Sequence, residues 1–363
     1  MDNKLLVVDK ASLVENINNL KEYTGKKIIA VLKGDGYGLG IVDMATVLSE
    51  NGIDFFAVSE YGEALTLREA GFLNENILLL TPQYDEEIIS ALVDNNITLT
   101  VDSYENAKLY SKISEENKKV SKVHVKVDTG FGRFGFLPQN KEEIVKTLKL
   151  SNLEFEGIYS HFSCSFEKKY NITKKQLEVF KSILSYLDEF EFSFKIRHIA
   201  NSCAALRFPE THFDAVRLGS ALIGRLPVVT NVKLNKIGHL ESSVLTVKEL
   251  PLKWNIGYAN VYKTDKKSNV AIIPVGYKDG FMTIKADDTF RIKDVIRYIV
   301  NNLKSFNKKT YVEINGKKAR LVGRVGMYNI VADVTGLDVK AGDKVKLNIN
   351  PLIVNSNITR QFR

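Results

Sequence analysis

The sequence predicts an α/β chain in two parts: an N-terminal (β/α)8 TIM-type barrel over residues 1–232 and a mostly antiparallel β domain over 233–363. Three observations carry this reading. Eight short apolar runs recur up to Leu218, mostly with helical patterns between them, and such alternation implies parallel strands joined by crossover helices. Past about residue 233, strand-like runs follow one another with few helices between. The length of 363 residues is long for one domain and comfortable for two. A doubly wound open sheet is the alternative for the first part, because periodicity alone does not show closure.

In chain order, a lead-in strand (Leu5–Val8) and a helix around Leu13–Tyr23 come first. The eight runs are Ile28–Leu32, Phe55–Val58, Ile77–Leu80, Ile97–Val101, Val123–Val127, Phe155–Tyr159, Ile196–Ile199 and Phe213–Leu218. Helical patterns at Glu60–Ala70, Asp85–Val93, Tyr104–Ile113 and Lys174–Phe190 separate several of them. The second part offers strands at His239–Val247, Asn269–Val275, Thr310–Ile314, Lys318–Val325, Ile330–Val334 and Lys344–Leu347. Asn315-Gly316 reads as a hairpin turn whose two central residues need positive φ. The exception is a helical insertion near 288–306. Ile292, Val295, Ile296, Ile299, Val300, Leu303 and Phe306 fall on one face of it, and Asp288 or Thr289 is the expected N-cap.

Composition sets limits on function. Hydrophobic content of 44% and charged content of 26% are those of an ordinary globular protein. The net charge of +8 is carried by scattered lysines such as Lys118, Lys119, Lys168, Lys169, Lys266 and Lys267. That pattern argues against a nucleic-acid partner, which wants a basic stripe with interleaved aromatics, but it suits steering of small anions. Cys164 and Cys203 are the only cysteines, and His124, His161, His198, His212 and His239 the only histidines; none has zinc-ligand spacing, so no metal is expected. With no signal-peptide pattern and no membrane-length apolar run, the expected location is cytoplasmic, without a membrane partner.

The chemistry gathers around Ile28-Ile-Ala-Val-Leu-Lys-Gly-Asp-Gly-Tyr-Gly-Leu-Gly40. A lysine at the mouth of a buried strand can be desolvated, which lowers its pKa toward nucleophilic use; the alternative is an ordinary strand ending in a snorkelling lysine and a flexible turn. Functional groups of such barrels collect at the C-terminal strand ends. Lys33 ends the first strand, Asp128-Thr-Gly-Phe-Gly-Arg133 follows the fifth, and His161 ends the sixth. Asn201-Ser202 follows the seventh strand and Arg217-Leu-Gly-Ser220 ends the eighth. Phosphate commonly binds after strands seven and eight, where this chain offers the Ser202 hydroxyl and the amides of Gly219 and Ser220. A lysine and a phosphate site on one rim suggest pyridoxal 5'-phosphate.

With these motifs in place, the chain resembles the bacterial alanine racemase family, the fold-type III pyridoxal-phosphate enzymes. The resemblance runs through nearly the whole chain in order: AVLKGDGYGLG, KVDTGFGRFG, YSHF, HIANS, VRLGSALIG, GYANVY, IPVGYKDG and GRVGMYNIVADVT. It implies a barrel followed by a β domain, a small amino-acid substrate, and a head-to-tail homodimer in which each active site is completed by the partner. It also implies that Lys33 binds the cofactor and acts as one base, and that Tyr258 of the other subunit is the opposing base. By the same resemblance, Arg217 faces the pyridine nitrogen and His161 belongs to the linked environment of Tyr258. Arg133 lies near the substrate carboxylate, and Lys126 aligns with a lysine that is carbamylated in many members. Tyr37 and Ser202 resemble phosphate ligands beside Gly219 and Ser220. Met327 aligns with a methionine whose amide meets the substrate carboxylate, and Tyr277 with a tyrosine of the substrate channel.

The chain also departs from the family pattern. Gly34, Asp35, Gly36 and Leu39 stand in a motif usually written Lys-Ala-Asn-Ala-Tyr-Gly-His-Gly, and Gly326-Met-Tyr328 stands where Cys-Met-Asp is common. A C-terminal phosphate-binding tyrosine is absent, with Ser356 or Asn357 falling nearby. The implied activity is interconversion of L- and D-alanine. The alternatives are the same chemistry on serine, lysine or ornithine, a decarboxylase of related fold, or a non-catalytic pyridoxal-phosphate carrier.

Overall fold

The computed structural model describes residues 4–284, 286, 287, 289–306 and 308–363. Two compact units are present: Asp9–Ile237, and a second formed by the segment up to Val8 with Gly238–Arg363. The division therefore falls at Gly238 rather than residue 233, and the first strand, β1 (Leu5–Val8), does not lead into the barrel. Leu6, Val7 and Val8 are buried in the second unit's sheet, where β1 gains hydrogen-bonding partners on both edges.

The Asp9–Ile237 unit opens with the helix Lys10–Thr24. Asp9 caps it by accepting from the Ser12 N–H at 2.8 Å, Gly25 (φ 56°) ends it, and Leu13, Ile17 and Leu20 form its buried stripe. The strands follow as β2 (Lys27–Val31), β3 (Phe55–Val58), β4 (Asn76–Leu79), β5 (Leu99–Val101), β6 (Ser121–Lys126), β7 (Leu153–Tyr159), β8 (Ile196–His198) and β9 (Ala215–Leu218). Parallel pairing gives two arcs, β4-β3-β2-β9 and β5-β6-β7-β8. A Leu78–Thr98 bridge joins them on one side. On the other, the amides of Asp214 and Arg217 donate to the carbonyls of Arg197 and Ala200 at 3.1 and 3.0 Å. The sheet closes, which selects the barrel over the open sheet.

The interior is divided by chemistry. Ile29, Val31, Phe55, Ala57, Leu78 and Ala215 form an apolar cluster. From β5 to β9 the alternating positions instead bury Thr100, His124, Lys126, Tyr159, His198 and Arg217. A buried polar group without a partner costs about 1–3 kcal/mol, so this half is stable only as a bonded network.

The second unit is built on a nine-stranded sheet. Its further strands are β10 (His239–Ser243), β11 (Thr246–Leu250), β12 (Asn255–Ile256), β13 (Tyr262–Lys263), β14 (Ser268–Ile273), β15 (Tyr311–Ile314), β16 (Lys317–Leu321), β17 (Ile330–Asp333), β18 (Lys344–Leu347) and β19 (Thr359–Phe362). The sheet order is β11-β14-β17-β16-β15-β18-β10-β1-β19, antiparallel except for β1–β19, while β12 and β13 pair separately. The run expected as one strand over His239–Val247 is two, because β10 pairs with β18 and β11 with β14. Asn315 (φ 48°) and Gly316 (φ 77°) make the tight turn between β15 and β16.

The insertion helix spans Ile292–Ser305 with Arg291, not Thr289, at its N-cap; Asp288 lies outside the described residues. Arg291 and Arg297 pair with Asp294 in its first turn, which fixes the start. Its apolar face is exposed, Ile292 and Leu303 most of all. No helix among the described residues is long and apolar enough to cross a membrane.

Candidate active site

The end of β2 does not run into an ordinary turn. Gly34, Asp35, Gly36 and Tyr37 take φ of 66°, 53°, 62° and 58°, so the chain makes one left-handed turn immediately after Lys33. Glycine adopts this conformation freely, whereas each L-residue in it costs about 1–2 kcal/mol. Two bonds offset that cost. The Asp35 carboxylate accepts from the Ile41 N–H at 2.8 Å, capping the helix Ile41–Glu50, and the Asp35 N–H donates to Glu63 at 3.1 Å. Glu63 also accepts from the Ser59 and Glu60 N–H groups at 3.1 and 3.2 Å, so one carboxylate ties the loop after β2 to the loop after β3. Asp35 thereby closes the turn onto the first N–H of the next helix.

The turn brings Tyr37 against the loop after the neighbouring strand, β9. A Cβ on Gly219 would lie 2.3 Å from the Tyr37 hydroxyl, so only glycine allows this approach. Burial pushes the Tyr37 phenol up to about 12. Ser202, at the start of the helix Ser202–Arg207, accepts from the Gly219 and Ala221 N–H groups at 3.1 and 3.2 Å. The Gly219 amide is therefore committed to Ser202, while the serine's own O–H is left to donate. The Gly219 amide is in this respect a scaffold for the loop.

A cavity of about 420 Å³ opens at this rim. It brings together Lys33, Tyr37, Lys126, Arg133, His161, Ser202, Arg217, Gly219 and Ser220. Four of these carry basic side chains beyond histidine, and no aspartate or glutamate lies among the lining residues. An anion, and a phosphate in particular, fits that balance.

Arg217 is buried, donating to the carbonyls of Ser160 and Ile199 at 2.7 and 3.2 Å and to His161 Nδ1 at 3.1 Å. Burial lowers its pKa to about 10, which leaves it cationic at neutral pH. His161 is held well below the usual histidine range by desolvation and by Arg217, Lys126, Arg133 and Lys33, and so is neutral. Solvent reaches Lys33, yet partial desolvation, Arg133 and Arg217 lower its pKa, while Glu63 opposes them. Lys126 is buried beneath, 4.5 Å over the Tyr159 ring. Desolvation, Arg217 and Arg133 push its amine far down, with Asp128 opposing.

Arg133 is set by Asp128, whose two oxygens accept from the N–H groups of Gly130, Phe131, Gly132 and Arg133 at 2.7–3.0 Å. Burial works against that carboxylate's charge, but the four donors outweigh it and hold its pKa below the usual range. Cys203 lines the cavity with its thiol pushed up by burial, and Cys164 is half-buried.

Tyr258, Tyr277 and Met327 belong to the second unit, where they are 71%, 47% and 45% exposed. Gly257 packs against Arg324, and a Cβ on Gly276 would lie 2.2 Å from the Met327 carbonyl, so the loop after β16 holds all three on connected backbone. Tyr277 N–H donates to the Gly326 carbonyl at 3.1 Å, and Lys278 Nζ donates to the Tyr328 hydroxyl at 3.0 Å.

Sequence reasoning missed the groups beneath the rim: Thr100, His124, Tyr159 and His198, together with Glu63 and Glu156. For Thr100, His124, Tyr159 and His198 the signal is polar residues at alternating positions of strands that are otherwise apolar; Glu63, on a helix, and Glu156, at a bulge, lie outside that pattern.

Residues 8–227 match the family described as alanine racemase, N-terminal domain, and residues 237–358 the one described as alanine racemase, C-terminal domain. An alanine racemase of Clostridium tetani (strain Massachusetts / E88) is 35% identical over 350 residues, 94% of this chain and 84% of that protein. The solved alanine racemase of Clostridium difficile 630 superposes with a TM-score of 0.86 at 28% identity, covering 99% of this chain and 95% of that one. A Bartonella henselae alanine racemase with covalently bound pyridoxal phosphate has a TM-score of 0.81 at 23% identity over 99% of both chains, a likeness of fold.

The buried histidines set a pH limit on stability. In an unfolded chain a histidine titrates near about 6.5. His124, His161 and His198 titrate lower in the fold, chiefly through desolvation. Between the folded and unfolded values the unfolded chain binds more protons, so stability is full above that window and falls as pH falls through it. Thermal midpoints of the full chain at fixed ionic strength should drop most steeply below about pH 6.5. A flat midpoint down to about pH 5 contradicts neutral buried histidines.

Proposed function

Because the chain belongs to the alanine racemase family, we propose that it is a pyridoxal-phosphate-dependent racemase interconverting L- and D-alanine with Lys33 and Tyr258 as opposing bases. The observation that carries this reading is the cavity at the barrel rim, where four lysine and arginine side chains and no aspartate or glutamate surround a hydroxyl cradle. Lys33 would hold the cofactor; Tyr37, Ser202 and Ser220 would hold its phosphate; Arg217 would face its ring nitrogen. When bound, pyridoxal phosphate supplies an electron sink for the pair left when a substrate Cα–H bond breaks.

The chain's own residues do the rest. Lys33 Nζ, its pKa lowered by desolvation and two arginines, removes the α-proton of the D-enantiomer. Tyr258 Oη removes that of the L-enantiomer from the opposite face, and in each direction the other group returns a proton to Cα. Arg217 is still protonated at neutral pH, so it donates a hydrogen bond without handing over its proton. A short-lived carbanion suits racemisation, because a long-lived one invites transamination. Arg133 places its planar fork for the substrate carboxylate, and the backbone amide of Met327 serves the same anion.

Tyr258, Tyr277 and Met327 act from a second copy of the chain in a head-to-tail homodimer; their exposure supports this, since a residue that completes a partner's site stands free on its own subunit. The protein works in the cytoplasm on a small amino acid. Lys278 beside Tyr328 puts a cation near Tyr277, which favours alanine over lysine or ornithine. Lys126 is carbamylated: a buried amine with two arginines lowering its pKa and no ion pair among the described residues gains an anion to set against Arg133.

Assay of purified Lys33→Ala and Tyr258→Phe with added cofactor should show racemisation of alanine lost by at least about a hundredfold in each. Near-normal turnover by either variant, or faster racemisation of serine, lysine or ornithine by the unaltered enzyme on chiral chromatography, contradicts the reading. For Lys126, intact mass should show a gain that disappears on acidification; an unmodified mass at neutral pH rules the carbamate out.

A further inference from the structure

Beneath Arg217 lies a line of buried groups that the racemisation scheme does not use. Arg217 Nη1 is 2.7 Å from His198 Nδ1, His198 Nε2 is 2.9 Å from His124 Nδ1, and His124 Nε2 is 3.5 Å from Glu156 Oε2. Both imidazoles are fully buried. Arginine has only donors, so His198 Nδ1 must accept and its proton sits on Nε2. That proton points to His124 Nδ1, which must accept in turn, leaving the His124 proton on Nε2 facing the carboxylate. One tautomer of each ring satisfies every link, and it satisfies them in one direction.

The backbone is shaped for this line. The β6–β7 pairing shifts register between Val123, opposite Phe155, and His124, opposite Gly157, so Glu156 is the extra residue of a bulge. At Gly157 a Cβ would lie 2.5–2.7 Å from three atoms of the His124 ring, so glycine is what makes room for the imidazole. The Tyr159 ring stacks on His198 at 4.8 Å and 3°, and Phe55 meets His124 edge-on at 5.8 Å. His124 Nε2 and Glu156 Oε2 are both buried without a hydrogen-bond partner, and they face each other. At 3.5 Å their contact is electrostatic rather than a full hydrogen bond. The other charges around the line are Lys122, 3.6 Å from Glu156 Oε1, and Lys126, Arg133 and Lys195 further off.

We propose that His198, His124 and Glu156 are positioning residues that hold Arg217 in one orientation and keep its charge on the guanidinium. The proposal rests on the reading that Arg217 faces the cofactor ring nitrogen. A proton on His198 Nδ1 would confront the Arg217 N–H with another donor and turn the guanidinium away. The Glu156 charge disfavours that arrangement by drawing both imidazole protons toward itself.

The test is ¹⁵N NMR of the full chain labelled at histidine, without and with added pyridoxal phosphate. His198 and His124 should both be neutral with the proton on Nε2. Glu156→Gln removes the charge and offers His124 an amide N–H, so a second tautomer should appear at His124 and His198. The same variant should shift the absorption band of the bound cofactor and lower kcat about tenfold with KM within about twofold, and Glu156→Asp should restore most of both. Either imidazole protonated at Nδ1 in the unaltered protein overturns the proposal, and so do unchanged tautomers, absorption and kcat in Glu156→Gln. The NMR result needs no turnover, so a chain that fails to racemise alanine while showing these tautomers overturns the functional reading and leaves the positioning line standing.

Discussion

The constraint on which the site depends is repulsion. Lys33, Lys126, Arg133 and Arg217 line one cavity that contains no carboxylate. Two unit charges about 8 Å apart repel by ~2 kcal/mol at an effective dielectric near 20, so such a cluster is held only by outside support or by a bound anion. Each neighbouring feature answers that pressure. His161 stays neutral, Arg217 is surrounded by carbonyl oxygens, and the Lys126 amine has its pKa pushed down. A phosphate dianion relieves what remains, which is why a cofactor with a phosphate handle suits this barrel better than an uncharged ligand.

The second support is the left-handed turn after Lys33. Two glycines remove half of its steric cost, and the remainder falls on Asp35 and Tyr37. Asp35 is held by the Ile41 N–H and by Glu63, and Tyr37 by the bare backbone of Gly219. Lys33 and the Ser202–Gly219 loop are thus joined through one left-handed turn and one glycine, and Glu63 adds a negative charge that raises the Lys33 pKa.

Much of this was legible in the sequence, for identifiable reasons. The eight barrel strands are short and mostly apolar and alternate with helical patterns, which puts Lys33, His161, Ser202 and Arg217 on one rim from the sequence alone. Closure was not legible, since it rests on backbone bonds near Thr98, Arg197 and Ala200 that side chains do not announce. The membership of Leu5–Val8 was hidden for a similar reason: a four-residue apolar strand suits either unit, and its partners lie at the far end of the chain. Asp35 looked anomalous because its role needs positive φ and a helix start six residues later, neither of which a motif displays. His124, Glu156 and His198 escaped notice because a bulge brings them into line, and a one-residue register shift leaves no mark on composition.

The central claim is that one chain's Lys33 and another chain's Tyr258 work on a single substrate. Complementation tests it most directly. Lys33→Ala and Tyr258→Phe, each inactive alone, are mixed under conditions that exchange subunits, and alanine racemisation is followed. A mixed dimer contains one site with neither base and one site with both, so the account predicts that activity returns on mixing. Exchange demonstrated by mass, with no activity regained, would contradict it.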